Sequence, residues 1–237
     1  DYAIPFDRLA AAITPKTRLI LINTPHNPTG RVLPERVLEG IAQLAERHSL
    51  WILSDEVYED VWFGAEPPAS VFARPDMRER TVATHSVSKA YGLAGARVGY
   101  THGPRAAMEV IRSVQTFYSY CAPRPMQFGA AAALDHGDGW LNDMRDVYRT
   151  AALAAARALE IPEPDGGTFL FFDLKPYFKR GESLTQVLER CIDGGVMLTP
   201  GTACGADFET WARLCFTSVP EADLFDALAR LRSVLFG

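Results

Sequence analysis

The chain has 237 residues, 48% of them apolar, with a formal net charge of −5. That much apolar material can build a packed α/β core and excludes an intrinsically disordered chain. No run of Lys or Arg is longer than a pair, which excludes the usual electrostatic footprint for nucleic acid or an anionic membrane. The four cysteines, Cys121, Cys191, Cys204 and Cys215, show neither CxxC nor paired spacing. This argues against a zinc site or disulfide framework and favours a reducing, cytoplasmic setting. No apolar stretch approaches the roughly 20 residues of a membrane span. The opening Asp1-Tyr-Ala-Ile-Pro-Phe6 lacks a signal-peptide pattern and has the texture of the interior of a longer protein.

Leu19 to Asn23 is a short apolar run that stops at a Pro/Asn/Gly turn. Pro34 opens a helix to about His48, with Val37, Leu38, Ile41, Leu44 and Ala45 on one face. Strands are expected at Leu50 to Ser54, Thr81 to His85 and Arg97 to Thr101, followed by a helix from Pro104. This order implies right-handed crossovers and a mainly parallel sheet covered on its faces. Pro123 to about His136 and Gly139 to about Leu159 have the pattern of two helices, the second long enough to bridge two lobes. Gly166-Gly167 then leads into a strand at Thr168 to Asp173. A helix near Leu184 to Ile192, strands at Val196 to Leu198 and Trp211 to Thr217, and a last helix from Pro220 complete the chain. The expected fold class is α/β, with residues 1–142 forming part of a large domain and residues 143–237 a smaller α+β domain.

In open α/β sheets, ligands bind beyond the carboxyl ends of the strands. Three polar clusters fall at those ends: Thr24-Pro-His-Asn27-Pro-Thr-Gly30, Asp55-Glu-Val-Tyr58 and Ser86-Val-Ser88-Lys89. Each has a plain alternative. The first is ordinary turn chemistry, Asp55 is a helix cap, Tyr58 a half-buried aromatic and Lys89 a surface lysine. It is their joint order that is specific. Asn-Pro-Thr-Gly, then Ser54-Asp55-Glu56-Val57-Tyr58, then Ser86-x-Ser88-Lys89 with Gly92, Gly95, Arg97 and Gly99, resembles the fold-type I aminotransferases of class I/II. The resemblance runs from about Ile4 to the C-terminus.

The resemblance implies an enzyme dependent on pyridoxal 5′-phosphate (PLP) that moves an amino group between an L-amino acid and a 2-oxo acid. Lys89 would carry the cofactor as an imine and shuttle the substrate proton, and Asp55 would face the pyridine nitrogen. Asn27 and Tyr58 would donate to the ring oxygen, and Ser86, Ser88 and Arg97 would grip the phosphate. Arg213, in Trp211-Ala-Arg213-Leu-Cys-Phe, matches the position that clamps the substrate carboxylate, and Asn27 is the second substrate-binding residue the resemblance implies; the plain alternative for Arg213 is an edge-strand salt bridge. Cys204-Gly205 departs from the Phe that many relatives carry before the corresponding Gly, which leaves the side-chain pocket open. The resemblance also implies a homodimer and a longer complete protein, with the Gly-rich phosphate loop and the ring-stacking aromatic upstream of this chain.

Ser86-Val-Ser88-Lys89 also fits the Ser-x-x-Lys of penicillin-recognising enzymes, but the Lys-Thr-Gly and Ser-Asp-Asn elements those need are absent. There is no Gly-x-Gly-x-x-Gly or Walker A loop. The five histidines lack metal-ligand spacing and are expected to be satisfied internally or on the surface, so no metal is expected. Within the PLP family, β-elimination, decarboxylation, cyclisation and oxidation are rival reactions on the same fold. A rival of another class is an aminotransferase-like ligand-sensing domain of a transcription regulator.

Overall fold

The computed structural model describes residues 4–237. Helix α1 (Phe6–Ala12) precedes strand β1 (Leu19–Asn23), helix α2 (Glu35–Arg47), strand β2 (Trp51–Asp55), strand β3 (Thr81–Ser86), the single helical turn α3 (Val87–Ala90) and strand β4 (Gly99–His102). Three helices follow: α4 (Arg105–Tyr118), α5 (Arg124–His136) and α6 (Asp138–Leu159). The remainder is β5 (Phe169–Asp173), α7 (Leu184–Asp193), β6 (Thr199–Pro200), β7 (Trp211–Cys215) and α8 (Glu221–Phe236). Among the described residues, no helix is long and apolar enough to cross a membrane.

The first sheet has the order β1-β2-β3-β4, with β1, β2 and β3 parallel and β4 antiparallel to β3. The mainly parallel sheet is as expected, but the fourth strand differs. It is Gly99–His102 rather than Arg97 to Thr101, and it reverses direction because only the short α3 and a 3-10 turn separate it from β3. A parallel return would need a crossover of a dozen or more residues, usually helical. Arg97 lies outside the strand, in the left-handed region at φ 54°.

Side chains alternate across a strand, so the sheet has two distinct faces. Ile20, Ile22 and Ile52 point to one face and pack under Leu38, Ile41, Ala42 and Ala45 of α2, with Val71 and Met77 closing the cluster. Leu19, Leu21 and Trp51 point to the other, where they are 45%, 62% and 39% exposed. Asn23 and Asp55 lie on that same open face, being two residues beyond Leu21 and Leu53.

The second sheet is antiparallel, order β5-β7-β6. Leu170, Phe172, Ala212 and Leu214 face Ala151, Ala152, Ala155, Ala156 and Leu159 of α6, and Leu224, Leu228 and Leu231 of α8. The small residues of α6 allow close packing. The strand expected at Val196 to Leu198 pairs instead at Thr199–Pro200, and Val196 and Leu198 are buried without strand pairing. Pro200 is tolerated because β6 is an edge strand that needs no further donor there. Helix α7 starts at a capping box in which Ser183 and Gln186 satisfy each other's backbone.

Helices α4 and α5 bury almost nothing: no residue of α4 and only Ala130 of α5 are buried. Val110, Val114 and Phe117 form an exposed apolar stripe on α4. Contiguous exposed apolar surface of this kind favours association. The 237-residue chain on its own is therefore expected to self-associate in sedimentation velocity and to bind a hydrophobic dye. Ile22→Ala should cost about 2–5 kcal/mol in urea unfolding, whereas Leu21→Ala should change stability by less than about 0.5 kcal/mol while reducing self-association. Equal destabilisation by both would contradict the assignment of faces.

Candidate active site

The parallel register sets the carboxyl ends of β1, β2 and β3 level, with Asn23 opposite Asp55 and Asp55 opposite Thr84. The Asn23 side chain joins two of the three motifs. Its Nδ2 donates to the Asp55 carbonyl at 2.9 Å, and its Oδ1 accepts from the Asn27 N–H at 2.7 Å. The Asn27-Pro-Thr-Gly30 turn is thereby fixed against the end of β2. Gly30 has φ +67°, and a Cβ there would meet Pro164 at 2.6 Å and the Phe169 carbonyl at 2.9 Å, so this turn needs glycine. The Gly30 carbonyl accepts from Asp165 N–H at 2.8 Å and Gly166 N–H at 2.9 Å.

Asp55 is half-buried, and its Oδ1 accepts from the Val57 N–H at 3.3 Å. The local capping role is thus present, and it leaves acceptor capacity on the carboxylate. The adjacent Glu56 is buried and turned away, accepting from the hydroxyls of Ser54 and Ser70, both at 2.7 Å.

Tyr58 is buried with Val61, Ala90, Leu141 and Met144. Burial pushes its hydroxyl above the ordinary phenol value, against the opposing pull of a hydrogen bond with Thr168. Lys89 Nζ lies 5.7 Å from the centroid of the Tyr58 ring. The turn that carries Lys89 is held from both ends. Ser86 caps it by accepting from the Ser88 N–H at 3.1 Å, and the Trp140 indole donates to the Ala90 carbonyl at 2.8 Å. Helix α6 therefore anchors the lysine turn at its N-terminal end and the second sheet at its C-terminal end.

Arg213 reaches the same region from β7. Its guanidinium lies 4.2 Å from the Phe169 ring centroid, donates to Asn27 Oδ1 at 3.0 Å and to Thr199 Oγ1 at 3.4 Å, and keeps a buried Nε without a hydrogen-bond partner. Phe169 in turn stands edge-on to Tyr58, with centroids 6.1 Å apart. A continuous series of contacts thus runs from Lys89 through Tyr58, Phe169 and Arg213 to Asn27, and through Asn23 to Asp55. Arg97 is not drawn in: it is exposed, with its guanidinium on the Ala94 carbonyl at 3.0 Å.

Asn23, Thr168, Phe169 and Thr199 belong to this constellation, and the motifs did not single them out. The only sequence signal was a polar residue ending an apolar run at Asn23 and the aromatic strand after Gly166-Gly167. A cavity of about 760 Å³ lies elsewhere, between Phe6, Arg31, Val37, Ile161 and Phe171. Among the described residues, its lining holds no Lys, His or Cys.

The description of aminotransferase class I and II matches residues 1–231. An aspartate aminotransferase of Musicola paradisiaca is 34% identical over 226 residues, covering 93% of this chain and 56% of that protein. An arginine–pyruvate transaminase of Pseudomonas aeruginosa is 35% identical over 213 residues, covering 86% of this chain and 53% of that protein. The solved N-succinyldiaminopimelate aminotransferase of Mycobacterium tuberculosis superposes with a TM-score of 0.91 at 29% identity, covering 98% of this chain and 62% of its own. The chain therefore spans 53–56% of the length of these two curated relatives. Motif order, sheet register and near-complete coverage of this chain agree, and the chain belongs to the class I and II aminotransferases.

Proposed function

We propose that this chain forms the lysine-bearing part of a PLP-dependent aminotransferase acting on an L-amino acid and a 2-oxo acid. The observation that carries the reading is the contact series from Lys89 to Arg213 and Asn27, an amine and a carboxylate receptor joined through Tyr58 and Phe169. The donor set suits the cofactor. Asp55 offers acceptor capacity for a ring N–H, Ser86, Ser88 and Arg97 offer hydroxyls and a guanidinium for a phosphate, and Lys89 offers an amine for an aldehyde.

When bound, PLP supplies an aldehyde that condenses with amino groups and a ring that accepts electron density from the substrate Cα. Lys89 would hold the cofactor through its amine, and that amine would serve as the base for the substrate Cα proton. Asp55 would face the ring nitrogen and favour its protonated form. Tyr58, whose burial favours the phenol form, would donate to the ring oxygen. Asn27, whose Oδ1 is engaged by Arg213, would offer its Nδ2 to the same oxygen. Arg213 presents a planar fork to the substrate carboxylate, with Phe169 supporting one face and Asn27 and Thr199 fixing its rotation.

The reading includes a homodimer, supported by the exposed apolar stripe of α4, and a cytoplasmic setting, in keeping with four free cysteines. It also includes a large-domain part over residues 1–142 and a small domain over 143–237. One core spans Ile20 to Met77 and another Ala151 to Leu235, which supports that division.

Borohydride treatment of the holoenzyme should fix the cofactor on the peptide containing Lys89; recovery on another lysine would overturn the assignment. Asp55→Ala should reduce turnover by about a hundredfold or more, roughly 1.4 kcal/mol per decade, with a smaller loss of bound cofactor. Near-normal turnover in this variant would remove Asp55 from the mechanism. Arg213→Ala should weaken amino acids strongly and spare the corresponding amines, which lack a carboxylate, and Arg213→Lys should recover only part. Equal losses on both substrates would make Arg213 a structural residue.

A further inference from the structure

Behind the candidate site, on the sheet face opposite Asp55, two histidines and a glutamate form a chain that the proposed chemistry does not use. His85 and His102 are diagonal neighbours on β3 and β4, which pair His85 with Tyr100 and Ala83 with His102. Their rings stack with centroids 4.8 Å apart at 11°, and Nε2 faces Nε2 at 2.8 Å. The Nδ1 of His85 is 2.5 Å from Glu59 Oε1. Tyr100 stacks on His85, and Phe72 stands edge-on to His102.

Glu56, Glu59 and His85 lie close enough together to suggest a metal ion, but the distances favour a proton. Two donors on one ion with bonds of about 2.0–2.2 Å are held about 3 Å apart, wider than the Glu59–His85 contact. Glu56 is already engaged by two hydroxyls.

We infer that Glu59, His85 and His102 form a one-proton clamp, and that His85 and His102 are positioning residues for the phosphate-gripping groups Ser86, Ser88 and Arg97. The proton count follows from the contacts. An ionised Glu59 can only accept, so His85 carries its proton on Nδ1. Between the two Nε2 atoms there is room for one proton. Either His85 is cationic and donates to His102, or both rings are neutral and His102 donates to His85. With both rings cationic, two N–H groups would collide at 2.8 Å. The pair therefore takes up one proton where two independent histidines would take up two.

The clamp closes where the positioning matters. Ser86 follows His85 directly and pairs with Gly99, two residues beyond Arg97. A Cβ on Gly99 would lie 2.6 Å from the His85 carbonyl, so the two strands pass closely at this level. The His85–His102 contact ties β3 to β4 at the level from which Ser86 and, two residues before Gly99, Arg97 are presented. Glu59 adds the turn after β2, which also carries Tyr58.

The groups facing His85 are Glu56, Glu59 and Asp60 from that turn, with His102 and Tyr100 from β4. Burial lowers the affinity of His85 for a proton, but the hydrogen bond and charge of Glu59, then Glu56 and Asp60, outweigh it and hold the imidazole above its ordinary value. His102 is held below its ordinary value by burial and by the charge of His85. A raised His85 contributes stability fully below its unfolded value and loses it as pH rises through its folded value. A lowered His102 has the opposite limb and costs stability as pH falls below its unfolded value. The clamp is thus strongest near the ordinary histidine range and weakens on the alkaline side.

The inference rests on the PLP reading, and the test separates the two. In the holoenzyme, the ratio of PLP to pyridoxal affinity isolates the phosphate contribution and can be followed from about pH 7 to about pH 9. It should fall with rising pH in the wild type. In His85→Asn it should stay flat, because the amide Nδ2 can still donate to Glu59 but cannot titrate. His85→Ala should weaken PLP by about 10- to 100-fold and pyridoxal much less. A flat wild-type ratio, or equal loss of PLP and pyridoxal in His85→Ala, would overturn the inference. If the wild type holds no cofactor on Lys89, the PLP reading fails instead. The clamp is then decided by NMR titration of the two imidazoles: one proton taken up supports it, and two taken up together overturn it.

Discussion

The level register of three parallel strands is the constraint on which the site depends. Because Asn23, Asp55 and Thr84 stand opposite one another, three motifs separated by tens of residues emerge at one edge of one sheet. The Asn23 amide then converts that alignment into a rigid connection, bonding the end of β2 with one atom and the Asn27 turn with the other. A slip of one residue in β2 would send Asp55 to the opposite face, among Ile20, Ile22 and the helix α2. The buried stripe of α2 opposes such a slip, since it would turn Ile52 to the open face and bury the Asp55 carboxylate.

Arg213 is the counterpart of that constraint from the second sheet. A guanidinium can lie flat on Phe169, bond Asn27 and Thr199 at once, and still present its remaining donors. A lysine ammonium has neither the plane nor the fork. The Asn27–Arg213 bond joins residues 186 positions apart. Together with α6, which bonds the Lys89 turn through Trp140 and packs the second core through its alanines, it couples the Lys89 turn to Arg213.

The parts of this arrangement that were legible in the sequence are those set by local chemistry. Strands ending in Asn, Asp and Ser, the helix after Pro34 and the long α6 each follow from composition and period within a short window. Partners distant in sequence were not legible. The antiparallel turn of β4 depends on how little chain separates it from β3. The pairing of β6 at Thr199 rather than Val196 depends on where Arg213 and Ala212 stand on β7. Phe169 gained a role only through Tyr58 and Arg213, which approach it from two different elements. The histidines were expected to be satisfied or at the surface, and their sequence spacing hid a contact made across two strands.

The open apolar face around Leu19, Leu21 and Trp51 adjoins the same edge that carries Asn23 and Asp55, so the chemistry lies at the border of a surface that this chain leaves uncovered. The central claim is the proposed one, that the protein to which this edge belongs moves an amino group from an L-amino acid to a 2-oxo acid. It is tested most directly by a single turnover of the holoenzyme with an L-amino acid and no oxo-acid acceptor, following oxo acid, ammonia and carbon dioxide together. The account predicts one 2-oxo acid per Lys89 site, with the amino group retained on the protein until a second oxo acid is added. Release of ammonia or carbon dioxide in place of that retained amino group would contradict it.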